Sequence, residues 1–191
     1  MQQRPECTYM LEKLRDDLPK HLKYHTLGHT LDVYNRAEAI AKQEGVTGRT
    51  LELLLVAAVY HDSGYLYQRI RHENRSCEIA GEILPGYGYT AEDIDEICRI
   101  IMATQLPQNP NSLAGQIICD ADLDYLGRDD FFEVGEGLYQ EMLYAGVVAN
   151  EKEWDAIQIK FLENHSFFTP TSIALRNTKK QENLNRLKAR L

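Results

Sequence analysis

A chain of 191 residues, 43% of them hydrophobic and 26% charged, has the size and composition of one soluble globular domain with a sizeable core. Its formal net charge of −8 argues against an extended nucleic-acid surface or an anionic-membrane surface, since both need clustered Lys and Arg. It leaves room for a small anionic substrate, because a bound divalent cation can supply positive potential locally.

Apolar residues recur at helical spacing nearly everywhere, and no segment alternates with period two, so an all-α helical bundle of eight or nine helices is expected. Taken in order, the helices are predicted at 6–18, 27–44, 49–61, 72–84, 91–104, 112–126, 129–145, 151–166 and 171–189. Turn residues collect between them, at Gly45–Gly48, Pro85–Gly88, Pro107–Asn111, Gly146 and Phe168–Pro170. Thr90 followed by Asp93, and Asn150 followed by Glu153, are patterned like capping boxes. No repeat or linker divides the chain, so a single domain over 1–191 is expected, with helices 128–191 packing on the part before them. The last of these, RNTKKQENLNRLKARL, is basic and amphipathic and reads as solvated.

Cys7, Cys77, Cys98 and Cys119 form no CxxC pair and read as reduced and inert. The longest apolar run, LLLVAAVY at 53–60, is too short to span a membrane, and MQQRPECTYM carries no signal core. A cytoplasmic protein, monomer or homodimer, is the expectation.

Three polar features stand out. In HLKYHTLGHTLDVY, at 21–34, His21, His25 and His29 are spaced four apart, with Asp32 following. The most hydrophobic helix ends in Tyr60-His61-Asp62-Ser63-Gly64, where both His61 and Asp62 can converge as the backbone leaves the last turn. A buried charge there is costly unless paired or metal-bound. In IICDADLD, Asp120, Asp122 and Asp124 diverge by about 200° per step on a helix, so at most one or two point inward. Asp122, with Ile118 four before it and Leu126 four after, lies on the buried stripe. Singly, each feature has a plain structural reading as a hydrogen-bonded core or surface residue. Together, two imidazoles and two carboxylates suit Mn²⁺, Fe²⁺, Ni²⁺, Co²⁺, Zn²⁺ or Mg²⁺ and leave positions open for water and substrate.

The order of these residues resembles the HD-domain metal-dependent phosphohydrolase superfamily. YHTLGHTLDV, LLLVAAVYHDSGY, HENRSCEIAGEIL and DADLDYLG carry the resemblance, over about residues 20–127. It implies His29, His61, Asp62 and Asp122 as metal ligands, with Asp62 also orienting a water. His25 resembles the proton donor to the leaving group in one branch. His72 matches the first of two extra histidines found in two-metal members, but Thr104 and Gln105 stand where the second falls, so one tightly held ion is expected. His72 and Glu73 then complete the pocket, hold a weaker second ion or orient a water.

Arg69, Arg71 and Arg75 are the candidate phosphate clamp, with a solvated loop as the alternative; Lys160 and Arg176 have no tie to the site. His21 reads as surface, and His165 as a structural residue between Phe161 and Phe168. The expected activity is a phosphomonoesterase or phosphodiesterase acting on a nucleotide or other small phosphorylated metabolite. The alternative is a non-catalytic nucleotide- or metal-binding regulatory module, against which the complete ligand set speaks. Oxidative di-iron chemistry, known in some relatives, needs the second-metal histidine that Thr104 replaces.

Overall fold

The computed structural model describes residues 4–190, which form an all-α fold. Its α-helices are α1 (Pro5–Asp17), α2 (Leu27–Gln43), α3 (Gly48–Tyr60), α4 (His72–Ile83), α5 (Ala91–Ala103), α6 (Leu113–Asp122), α7 (Phe131–Tyr144), α8 (Glu151–Asn164) and α9 (Pro170–Lys188). Short 3-10 turns lie at Ser63–Leu66, Leu84–Tyr87 and Asp124–Gly127. Among the described residues no helix is long and apolar enough to cross a membrane.

Local chemistry accounts for the boundaries. Thr90 and Asp93 make both bonds of a capping box at the start of α5. Asn150 accepts from the Glu153 amide, but the Glu153 carboxylate accepts from the Ala149 amide and the Asn150 side chain instead of the Asn150 backbone amide. Eight of the nine predicted helices end within two residues of the observed helices. The exception is 112–126, which stops at Asp122 and tightens into the 3-10 turn Asp124–Gly127.

That break has a long-range cause. Gly127 is pressed against α9 so closely that a Cβ would lie 2.6 Å from the Arg176 carbonyl oxygen. Arg176 in turn donates to both oxygens of Asp124, at 2.7 and 3.0 Å. Asp120 accepts from the backbone of Phe168 and Thr169, each at 2.8 Å, and so fixes the start of α9. The expectation that at most two of the three aspartates turn inward is therefore corrected. Asp120 is 0% exposed and Asp124 2%, because α9 covers the side of α6 that a lone helix would leave to solvent. The same contact corrects the reading of α9 as fully solvated: Asn183, Leu184 and Leu187 are buried, and Asn183 donates to the carbonyls of Leu126 and Arg128.

Two apolar clusters result. The first, built on α1–α6, includes Met10, Leu14, Val33, Leu54, Ile97, Ile101 and Ile117. The second gathers Tyr24, Leu123, Tyr125, Leu126, Phe131, Leu162, Phe167, Leu184 and Leu187. Along α6 the first reaches Ala121 and the second takes over at Leu123, so Asp122 stands at their seam. All four cysteines are free thiols.

Candidate metal centre

Each ligand candidate is delivered by a helix end. Thr26 caps α2 and places His29 in its first turn. His61 is the last helical position after α3, and Asp62 follows as the chain turns. Ser76 of α4 locks that turn, donating to the His61 carbonyl at 2.6 Å and accepting from the Gly64 amide at 2.8 Å. Gly64 permits the approach: a Cβ there would sit 2.0 Å from the His72 carbonyl oxygen. Asp122 closes the set from the end of α6.

The side chains converge. His29 Nε2 lies 3.1 Å from Asp122 Oδ1 and 3.4 Å from Asp62 Oδ2, and His61 Nε2 lies 3.2 Å from Asp62 Oδ2 and 3.6 Å from Asp122 Oδ1. One donor atom each from His29, His61 and Asp122 falls within 4.8 Å of the others, and Asp62 flanks the group. His61 Nδ1 meets the Ala58 carbonyl at 2.8 Å; a carbonyl only accepts, so Nδ1 carries the proton and Nε2 presents its lone pair to the cluster. That Nε2 and Asp62 Oδ2 are buried without a hydrogen-bond partner. Buried polar atoms without partners are costly, and a divalent cation among these four donors satisfies both. The residues therefore fit the ion the sequence implies.

The electrostatics agree. Burial works against charge on His29, yet the hydrogen bond to Asp122 and the nearby Asp62 carboxylate hold it up at about 9. His61 is raised by Asp62 and Asp122 against the same burial. Burial favours the neutral acids, but His61, His29 and His72 hold Asp62 well below the usual carboxylate range, and His29 and His61 do the same to Asp122. Metal ligation needs the neutral imidazoles, so ion uptake here displaces protons.

Around the cluster, His72 places Nε2 3.3 Å from Asp62 Oδ1 and 3.6 Å from Glu73 Oε1, its Nδ1–H directed at the Arg69 carbonyl. His25 is held from behind: Glu141 Oε2 meets its Nδ1 at 2.6 Å. Glu141 Oε1 accepts the consecutive amides of Lys23, Tyr24 and His25, at 2.6, 2.6 and 3.0 Å. Gly137, one turn earlier on α7, lets that strand of backbone approach, since a Cβ would meet the Lys23 carbonyl at 2.8 Å. The Tyr65 ring is stacked on His25 at 4.0 Å and lies 4.2 Å from His72, spacing the two imidazoles.

The centre opens into a cavity of about 440 Å³, whose wall includes Asp62, Asp122, His25, His72, Arg69 and Arg71. Thr104 and Gln105 also line it, with the Thr104 hydroxyl committed to the Ile101 carbonyl. Arg75 is not part of that wall. It pairs with Glu78 and Glu82 and lies over the Tyr67 ring, because Arg71 takes a left-handed φ of 57° and turns the chain before α4.

The remaining candidates lie apart from the centre. Asp32 binds Arg128 at 2.5 Å and no imidazole. His21 is exposed and stacked on Tyr144. His165 packs between Phe161 and Phe167, not Phe168, and burial with the nearby Lys180 charge pushes it down to about 4. Lys160 is exposed, and Arg176 is spent on Asp124. Glu141, Ser76 and Tyr65 were not anticipated. Glu141 had one signal, a lone carboxylate in LYQEMLY on the stripe of Leu138 and Met142.

A family model for the HD domain matches residues 26–124, 99 of the chain's 191. An uncharacterized protein of Clostridium beijerinckii is 34% identical over 90 residues, which are 46% of this chain; the chain spans 57% of that relative's length. The crystal structure of a predicted HD superfamily hydrolase from an uncultured Thermotogales bacterium superposes with a TM-score of 0.62 at 23% identity, covering 97% of this chain and 91% of that one. A protein of Lactobacillus plantarum superposes with a TM-score of 0.66 at 20% identity, over 100% of this chain and 98% of its own. These two likenesses speak for the fold, and the matched segment contains His29, His61, Asp62 and Asp122; the chain belongs to the HD-domain family.

Proposed function

We propose that the protein is a metal-dependent phosphohydrolase acting on the phosphate ester of a nucleotide or other small metabolite. The observation that carries this reading is the convergence of His29, His61 and Asp122 with Asp62 beside them, where His61 Nε2 and Asp62 Oδ2 are buried without hydrogen-bond partners, in a cavity edged by Arg69 and Arg71. A divalent ion bound by His29, His61, Asp62 and Asp122 supplies Lewis acidity towards a phosphoryl oxygen and lowers the pKa of water.

The chain's own groups do the rest. Arg69 and Arg71 at the cavity wall neutralise and orient the phosphate. Asp62, with Oδ1 towards His72 and Oδ2 towards His29 and His61, accepts a hydrogen bond from the attacking water. His25, its Nδ1–H bonded to Glu141, turns Nε2 to the cavity and donates a proton to the departing oxygen.

The test is phosphate release from a panel of esters under each of Mn²⁺, Fe²⁺, Ni²⁺, Co²⁺, Zn²⁺ and Mg²⁺, with metal content measured alongside. Asp122→Asn is expected to lower metal affinity by at least about a hundredfold, beyond the usual effect of outer-shell changes, and activity with it. Full metal occupancy and full activity in that variant would remove the assignment.

A further inference from the structure

The cavity changes character along its length. Next to the donors it is polar, with Asp62, His25, His72, Arg69 and Arg71. Beyond Asp122 it runs between α7, α8 and the turn after α6, where Leu126, Phe131, Leu138, Trp154, Phe161 and Leu162 wall it. The amide that α8 contributes, Gln158, is turned towards Asp155 at 3.4 Å. The apolar character continues to the mouth, where Leu106 and Ile157 are 58% and 43% exposed.

We propose that this inner chamber takes the organic part of the substrate, and that this part is an alkyl or aryl group. The inference rests on the phosphohydrolase reading, which puts the phosphate at the polar end. A ligand's hydroxyls, ring nitrogens or sugar oxygens in the chamber would lose water and meet a wall that is mostly leucine and phenylalanine, with the Tyr125 hydroxyl, the Trp154 N–H and the Gln158 amide as its few polar groups, a loss an apolar group avoids. The chamber therefore favours an apolar phosphoester over a nucleotide. In hydrolysis of such an ester, water oxygen forms the new P–O bond and the bond to the alkoxy oxygen breaks. The alkoxy oxygen takes a proton and leaves as the alcohol: ROPO₃²⁻ + H₂O → ROH + HPO₄²⁻.

Trp154, the single tryptophan of the chain, lies in the chamber wall and reports occupancy without turnover. The metal-loaded 191-residue chain is titrated with methyl-, butyl-, hexyl- and octylphosphonate, following Trp154 emission. The expected result is a saturable change whose Kd falls about fourfold per added methylene until the chamber is filled. Leu138→Gln, at a half-buried position on the chamber wall, should flatten that series, and the unmodified chain decides alone if the variant misfolds. A series without chain-length dependence, or a nucleoside monophosphate that binds more tightly than octylphosphonate, overturns the proposal. Chain-length-dependent binding with no phosphate released from the matching esters under any of the six ions supports the apolar chamber and instead overturns the phosphohydrolase reading.

Discussion

The core of the first six helices and the core built on the last three treat their polar groups differently. In the first, Ser63 and Ser76 are buried around the turn after α3, where bonds of 2.6–2.8 Å fix them to the backbone of Tyr60, His61 and Gly64. Its interior is largely aliphatic, with Tyr34, Tyr60 and Tyr89 among it, and a packed core of this kind holds the groups at its edge in fixed geometry. The second core mixes five leucines with the rings of Tyr24, Tyr125, Phe131 and Phe167, and between α7 and α8 it leaves a chamber open. On the proposed reading, the first half holds the reacting groups and the second shapes what reaches them. Asp122 and Glu141 couple the halves, one at the seam and the other reaching back from α7 to the His25 loop.

Metal removal tests the coupling most strongly. The ligands join α2, the end of α3 and the end of α6, so an ion present at 100 times its Kd adds about 2.7 kcal/mol. For a chain of this size that corresponds to a Tm about 5–10 °C higher, lost on adding chelator. Amide exchange should rise on chelation in α2, α3 and α6 and stay flat in α8; a uniform rise would break the division into halves.

Gly64→Ala comes next. Its Cβ would stand 2.0 Å from the His72 carbonyl, so the turn after Asp62 and α4 must separate at a cost of about 3 kcal/mol, read in urea unfolding. Gly137→Ala, with 2.8 Å to the Lys23 carbonyl, is expected to cost less and to lower activity through His25. Equal costs at the two sites would mean the halves are equally rigid.

Glu141→Gln should cost about 2 kcal/mol at pH 7, since a buried carboxylate bonded to amides and an imidazole is replaced by a weaker acceptor. Burial favours the neutral acid, but His25 and the amides hold Glu141 below the ordinary glutamate value. Its contribution is present above the unfolded value of about 4.3 and is lost as pH falls through the lower folded value. The variant should therefore lack that part of the acid loss in a stability–pH profile.

The smallest effect belongs to the second core. His165, at about 4 when folded and about 6.5 when unfolded, binds a proton more readily in the unfolded chain. Stability should fall by about 1–2 kcal/mol as pH drops from 6.5 to 5, and His165→Phe should remove the slope.

These pairings show why part of the molecule was legible in its sequence. The helices were readable because their stripes and caps are local, as at Thr90 and Asp93. The polar cluster was readable because its residues end helices whose phase the stripes set, and the resemblance then ordered them. Glu141 was not readable, since its partner His25 lies 116 residues away. The break after Asp122 and the burial of Asp124 depend on α9, and Arg75 leaves the cavity through a backbone turn at Arg71 that no side-chain pattern announces. The chamber was invisible for a related reason: Phe131, Leu138, Trp154 and Phe161 look in sequence like ordinary core stripes.

The amides of Lys23, Tyr24 and His25, aimed at one carboxylate oxygen, form the kind of concave donor set that elsewhere captures free phosphate. Here the chain has filled it with its own anion. On the phosphohydrolase reading, a phosphate leaving the centre would meet no vacant nest beside His25, so the loop would contribute no product trap. Shortening Glu141 to alanine would turn this support into a receptor, and inorganic phosphate would become a stronger inhibitor of the variant than of the native chain.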